Sequence, residues 1–514
     1  MTNPALPLLI QQMLDSNFYP HPVQEPIRLI QTHISYVLLT GDYAYKIKKP
    51  LNFGFLDYST LDKRHHFCNE ELRLNQRGAA DLYLNVVAIV QQGETFQFAE
   101  QGTPIEYAVK MRQFPQEALL SHQFREGKLT LELLTWLADV VADFHNKAET
   151  NDYIRSFGEI SQIRAAFDEN YEQTHKYIGG PQTQAQFDET WAYTDQFFSN
   201  QTDVFASRIQ NNWIRECHGD LHLGNICLWN NTLFLFDCIE FNEPFRFVDV
   251  MFDIAYIVMD LEVGKRPDLS NAFLNAYVEQ TGDWEGLRVL PIYINRQTYV
   301  RAKVTSFMLD DASVSDEDKQ QASQTASLYY QLAWKYSQPR QGQLIVMSGL
   351  SGSGKTTVAR HLARQINAVH IRSDAVRKHL GGIPLHQRGS DDLYTPEMTQ
   401  KTYSRLLSLG TMLASQGYSV ILDAKYDRAS LRKQVITQAD IHELPLAILH
   451  CTAPMEVLKE RLQNRSDDIA DATTYILAGQ HLEPFQEPEH QYVKTLDTTQ
   501  DISSQLAVLL ENKE

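Results

Sequence analysis

The chain has 514 residues and a formal net charge of −18 at pH 7, a length that exceeds one ordinary core and calls for two or three domains. Apolar residues make up 43% and charged residues 21%, which excludes a disordered chain and fits a globular one. No run approaches the roughly 18 apolar residues of a membrane helix, and Met1-Thr-Asn-Pro-Ala-Leu-Pro7 lacks the basic-then-apolar layout of a signal peptide. The five cysteines (Cys68, Cys217, Cys227, Cys238 and Cys451) are scattered, with no C-x-x-C pair. They argue against a disulfide framework or zinc site and suit a reducing cytoplasm. Residues 343–514 hold about 18 basic and 20 acidic side chains, so most of the negative charge lies upstream. Such a surface repels a phosphate backbone and disfavours nonspecific nucleic-acid binding.

In chain order, residues 1–32 read as a short helix with Leu8, Ile10, Met13 and Leu14 as its apolar positions, then a proline-punctuated segment. Ser35–Leu39 and Tyr43–Ile47 flank Thr40-Gly-Asp42 and predict a β-hairpin. Its second arm ends in Lys46, Lys48 and Lys49; a kinase-like small lobe carries its phosphate-binding lysine there, although edge-strand lysines are commonly just solvated. Leu61 to Gln76 reads as a helix containing Glu70 and Glu71, either of which could pair with that lysine. Two more strands are expected at Leu84–Val90 and Glu106–Arg112. After Pro115 the pattern changes to long amphipathic helices, such as 129–145 and 184–198. A β-rich portion followed by a helical one predicts a two-lobed α+β domain rather than alternating βα units.

Within the helical portion stands Cys217-His-Gly-Asp-Leu-His-Leu-Gly-Asn225, followed by the apolar run Leu233-Phe-Leu-Phe-Asp-Cys-Ile-Glu-Phe241 with Asp237 inside it. Phosphoryl transfer needs a carboxylate to orient and deprotonate the acceptor hydroxyl, and an amide plus a second carboxylate to hold Mg²⁺ on the phosphates. His218-Gly-Asp220-x-x-x-x-Asn225 with Asp237 resembles the signature of the aminoglycoside phosphotransferase and choline-kinase group, which has the two-lobed protein-kinase-like fold. The resemblance implies Asp220 as catalytic base, Asn225 and Asp237 as Mg²⁺ ligands, and Lys46 as the ATP-phosphate lysine paired with Glu71 or Glu70. It further implies Asp253 as a structural aspartate supporting the catalytic loop, and a structural rather than proton-carrying His218. No G-x-G-x-x-G precedes Lys46, so the ATP lid is unassigned.

Helices are expected at 271–280 and 321–336. The polar stretch 337–342, with Pro339 and Gly342 as breakers, then separates a domain at 1–336 from one at 343–514. The second domain opens on Gly349-Leu350-Ser351-Gly352-Ser353-Gly354-Lys355-Thr356-Thr357, the pattern G-x-x-x-x-G-K-[ST], between the apolar run 344–347 and a helical run from Val358. Glycines let backbone N–H groups turn onto phosphates at a helix N-terminus; Lys355 would reach the β/γ-phosphates and Thr356 would hold Mg²⁺. Strands ending on Asp374 and Asp423, a helix over 396–416, and further strands at 444–451 and 492–496 predict an α/β P-loop domain with a parallel sheet and its ligand at the strand C-termini.

Asp423 could hold Mg²⁺ through water or simply cap a helix. Asp374-Ala-Val-Arg377 after the second strand resembles P-loop kinases that phosphorylate small hydroxyl compounds, which implies that Asp374 takes the acceptor proton and Arg377 helps bind substrate or phosphate; a capping aspartate with a solvated arginine is the alternative. Arg461 and Arg465, four apart on a helix before Ser466-Asp-Asp468, could neutralise the transferred phosphoryl or be ordinary surface arginines. The pattern resembles P-loop kinases of small hydroxyl compounds, gluconate-kinase-like ones above all, and also zeta toxins and polynucleotide kinases. The whole chain resembles a bacterial fusion of the two families. That resemblance implies an ATP- and Mg²⁺-dependent phosphotransferase with a small-molecule hydroxyl acceptor at each domain. A nucleic-acid 5′-hydroxyl kinase, or one kinase regulated by a second nucleotide module, is the alternative.

Overall fold

In a computed structural model, residues 6–464, 469, 477 and 479–511 are described. The chain forms two compact units. The first comprises Met1–Leu129, Asp143–Asp168 and Gln201–Asp260; the second comprises Thr130–Ala142, Glu169–Asn200 and Leu261–Glu514.

The first unit is built on a six-stranded antiparallel sheet in the order β1-β2-β3-β6-β4-β5. Its strands are β1 Arg28–Gln31, β2 Ser35–Leu39, β3 Tyr43–Lys48, β4 Tyr83–Gln92, β5 Thr95–Phe98 and β6 Pro104–Arg112. The alternation of β3 sorts its side chains between two faces. Tyr45 and Ile47 enter an apolar cluster with Met13, Leu38, Ile89 and Ala108, so Lys46 and Lys48 share the opposite face. Against that face lies helix Leu61–Ala79, capped by Thr60, which accepts from the Lys63 amide. Its buried stripe of Arg64, Cys68, Glu71, Asn75 and Ala79 keeps helical spacing but carries an arginine and a glutamate. Charges are found in such a stripe only when they have partners. β1 was not expected: Arg28, Ile30 and Gln31 are exposed, so an edge strand held by pairing with β2 leaves no alternating apolar pattern to read.

The same unit carries two short ribbons. β7 Ile214–Glu216 pairs with β10 Phe247–Asp249, and β8 Ile226–Trp229 pairs with β9 Thr232–Leu235. Helix Val250–Val263 comes directly after β10 and is buried along most of its length, with Val250, Ile254, Ile257 and Leu261 at 0% exposure.

The second unit contains a five-stranded parallel sheet in the order β12-β13-β11-β14-β15. Its strands are β11 Gln343–Ser348, β12 Val369–Arg372, β13 Ser419–Asp423, β14 Leu446–Thr452 and β15 Val493–Asp497. Met347, Val358, Leu362, Ile421, Leu449 and Leu506 form a continuous core between the sheet and its helices. The central strand β11 runs straight into the glycine loop, so the loop emerges at the C-terminal ends of three adjacent strands. Helices Pro267–Thr281, Leu290–Phe307 and Asp316–Ser337 belong to this unit too. Among the described residues, no helix is long and apolar enough to cross a membrane.

Candidate functional site

The first unit contains a cavity of about 390 Å³. Ile30, Val37, Leu39, Met111 and Phe114 make its apolar wall, and Lys46, Asp220, Asp237 and Glu240 bring charge into it. Lys46 Nζ lies 2.7 Å from Glu71 Oε1 and 2.6 Å from Asp237 Oδ1. Glu71 is therefore the partner; Glu70 instead pairs with Arg73 at 2.9 Å. The other Glu71 oxygen is 2.6 Å from Lys48 Nζ, and Lys48 also meets Glu240, which accepts a hydrogen bond from the Tyr58 hydroxyl. An alternating chain results: Asp237, Lys46, Glu71, Lys48, Glu240. It runs from a half-exposed end at the cavity, where the Asp237 side chain is 44% exposed, to a buried end where Lys48 is 1% exposed. Burial alone would push the Lys46 pKa down, but Asp237 and Glu71 outweigh it and hold the pKa well above the ordinary lysine value.

Asp220 is placed by a buried scaffold. Asp253 Oδ2 accepts from the His218 amide and Oδ1 from the Gly219 amide, each at 2.8 Å, and Oδ2 also takes His145 Nε2 at 3.1 Å. The His218 ring is occupied by the Phe236 carbonyl at 2.8 Å. Gly219 has φ +86°, and a Cβ there would meet the Phe245 carbonyl at 2.7 Å, so only glycine lets the loop turn beneath Asp220. Asn225 Nδ2 donates to the Asp220 carbonyl at 3.0 Å, leaving Oδ1 as the atom suited to a cation. The donor set fits a divalent ion: Asp237 and Asn225 offer hard oxygens, and the charged chain holds three carboxylates against two ammonium groups.

The second unit has its own cavity of about 390 Å³, lined by Gly352, Gly354, Lys355, Thr356, Thr357, Asp374, Asp423 and Arg461 among others. Gly349 has φ +141°, and a Cβ there would lie 2.5 Å from the Cys451 carbonyl; a side chain would displace the loop. Lys355 Nζ donates to the Leu350 carbonyl at 2.8 Å, across the loop's own mouth. Thr356 Oγ1 donates to Asp423 Oδ2 at 2.7 Å. Asp423 ends β13 and caps no helix, the next one starting at Ala429. Burial pushes its carboxyl up, but the hydrogen bond and charge of His370, with Arg372 and Lys355 nearby, hold it to about 2. The hydroxyl and the charged carboxylate are the donor set that a hydrated magnesium ion takes.

Other expectations change here. Asp374 does not end a strand: β12 stops at Arg372, and Asp374 sits in the first turn of helix Ser373–Leu380 while still lining the cavity. Arg377 does not line it; its guanidinium donates to the Leu393 carbonyl at 2.8 Å and Thr399 Oγ1 at 3.3 Å. Arg461 does, fixed by Thr498 Oγ1 and O at 2.8 Å each. Its helix, Met455–Gln463, ends before position 465; Arg465 and Ser466–Asp468 lie outside the described residues. Sequence patterns placed Lys48 in the basic cluster without giving it a role of its own, and did not single out Glu240 or His370. Lys48 was open to recognition, because the two-residue period of β3 puts it beside Lys46, whereas nothing local marks Glu240 or His370.

A family model described as an AAA domain matches residues 344–481. The uncharacterised protein Rv2004c of Mycobacterium tuberculosis is 30% identical over 465 residues, 89% of this chain and 91% of that protein. The chain belongs to the family of this mycobacterial protein. The adenylyl-sulfate kinase of Myxococcus xanthus is 31% identical over 124 residues, covering 23% of this chain and 63% of that enzyme. A solved aminoglycoside phosphotransferase from Alicyclobacillus acidocaldarius aligns with 66% of this chain and 96% of its own, at 13% identity and a TM-score of 0.37. The matched stretch 344–481 contains the glycine loop and strands β12, β13 and β14, so the family model falls on the P-loop unit.

Proposed function

We propose that the chain has two magnesium–ATP sites, each transferring the γ-phosphoryl group to a hydroxyl of a small molecule. One observation carries the proposal: each cavity holds a lysine, a metal-type carboxylate and a second carboxylate. These are Lys46, Asp237 and Asp220 in one cavity, and Lys355, Asp423 and Asp374 in the other. In-line transfer asks for that triad, since charge on the phosphoryl oxygens must be neutralised while the acceptor oxygen loses its proton.

In the first site, Lys46, oriented by Glu71, takes the ATP phosphates, Asn225 and Asp237 hold the metal, and Asp220 receives the acceptor proton. In the second, the backbone of Gly349–Thr357 and Lys355 cradle the phosphates, Thr356 and Asp423 hold the metal, and Asp374 receives the proton. Arg461 neutralises the developing charge there, and Arg465 is proposed for the same role. The functional division assigns 1–336 to the first kinase and 343–514 to the second, with 337–342 as linker, in a reducing cytoplasm suited to five unpaired, buried cysteines. The net charge of −18 favours small acceptors over nucleic acid.

The test is a metabolite extract incubated with γ-labelled ATP and the full chain, its Asp220→Ala variant or its Lys355→Ala variant. Two labelled product classes are expected, each lost in one variant only. If one variant loses every product and the other none, a single kinase with a regulatory nucleotide module is the better account.

A further inference from the structure

The carboxylate of the P-loop site is not held from within residues 343–514 alone. β12, which carries His370, is an edge strand of the parallel sheet, and the outward N–H and C=O groups of an edge must be covered or paired. No strand covers this one among the described residues. Helix Pro267–Thr281, from upstream of the 337–342 segment, does so with two asparagines one turn apart. Asn271 Nδ2 and Asn275 Nδ2 both donate to the Ala368 carbonyl, at 2.9 and 3.0 Å. Asn275 Oδ1 accepts from the His370 amide at 2.8 Å. One carboxamide thus meets the acceptor and the donor of alternate edge residues, as a neighbouring strand would.

From that backbone the His370 side chain, 5% exposed, reaches inward, and its Nε2 lies 3.0 Å from Asp423 Oδ2. The same oxygen takes the Thr356 hydroxyl. Further along the helix, Glu279 meets Arg372 at 3.4 Å and its carbonyl accepts from His379 Nε2 at 2.7 Å. Those two contacts flank Ser373 and Asp374 in sequence, so the helix holds β12 at Arg372 and the helix that carries Asp374 at His379.

We propose that helix Pro267–Thr281 is a working part of the P-loop site: Asn275, acting through His370, positions Asp423 for the metal. The proposal rests on reading Thr356 and Asp423 as the metal-holding pair. His370 and Asn275 are positioning residues, and sealing of a sheet edge is the plainer role from which this one must be told apart. A loose carboxylate would still carry its charge, so the expected loss falls on metal affinity and turnover, and metal-free nucleotide binding is spared.

The experiment uses the full chain carrying Asp237→Asn, which removes the metal carboxylate of the other site. Mn²⁺ binding to the ATP-loaded protein is followed by electron paramagnetic resonance, and amide exchange of peptide 368–372 by mass spectrometry. Asn275→Leu is expected to speed exchange and to weaken Mn²⁺ binding by about tenfold, the lower end of what losing an outer-shell partner of a metal ligand costs. His370→Phe is expected to weaken Mn²⁺ binding equally without freeing the edge, and His370→Gln, which keeps a donor, to recover most of it. ATP affinity in EDTA is expected to change less than about threefold throughout. Faster exchange with unchanged Mn²⁺ affinity would show that the helix only seals the sheet. Should Asn275→Leu not fold, equal Mn²⁺ affinity in His370→Phe and the parent overturns the proposal by itself. If Thr356→Ala and Asp423→Asn also leave Mn²⁺ affinity unchanged, the metal-site reading fails first.

Discussion

Asp220→Asn is expected to lower phosphoryl transfer at the first site by about 10²–10⁴-fold, the range a general base contributes, while the KM for ATP changes less than about threefold. Asparagine has nearly the same shape and keeps an acceptor, but it cannot take the proton of the acceptor hydroxyl. The split between kcat and KM reflects where the supports lie. The loop is shaped by Asp253 beneath the His218 and Gly219 amides and by the Phe236 carbonyl on His218, none of which the substitution touches. Lys46 and Asp237, which would meet the nucleotide and metal, hold each other at 2.6 Å. The measurement is steady-state kinetics in the Lys355→Ala background, so that the turnover recorded belongs to the first site. A fall in ATP affinity as large as the fall in kcat would show Asp220 to be part of nucleotide binding instead.

Lys48→Met is expected to destabilise the first unit by about 3–5 kcal/mol, the usual cost of removing one partner from a buried ion pair. Methionine fills much the same volume, so the loss is electrostatic. It strips the ammonium from between Glu71, 0% exposed, and Glu240, 4% exposed, and two carboxylates that converged on one nitrogen are left facing each other. Burial by itself would lower the Lys48 pKa, yet Glu240 and Glu71 hold it well above the ordinary value, as expected of a lysine whose charge the fold relies on. Adding Glu240→Gln removes the second charge and returns an amide to the Tyr58 hydroxyl. The double variant is expected to recover at least half of the loss, because replacing both members of a buried pair costs far less than orphaning one. Chemical denaturation of the three proteins decides this; equal stability of the parent and Lys48→Met would mean that water or rearrangement replaces the ammonium.

The two motifs were legible because their chemistry fixes their spacing. A phosphate loop needs its glycines, lysine and hydroxyl within nine consecutive residues, and a base-plus-amide loop needs Asp220 and Asn225 five apart. The strand pattern around Gly349–Thr357 was legible for a related reason: strands buried on both faces, such as β11 and β13, read as plain apolar runs. What escaped was whatever depends on long-range pairing. Glu240 is 192 residues from Lys48 and His370 is 53 from Asp423, and no local period connects either pair. β1 escaped because its stability comes from a partner strand. Arg377 misled, since Asp-x-x-Arg is equally the opening of a helix whose arginine bonds the Leu393 carbonyl.

The claim of two nucleotide sites in one chain is tested most directly by counting. Equilibrium dialysis with a non-hydrolysable ATP analogue and Mg²⁺ should give two nucleotides bound per chain. One should be lost in Lys46→Met, the other in Lys355→Ala, and both in the double variant. A single nucleotide per chain at saturation, abolished by one lysine and indifferent to the other, would contradict the account.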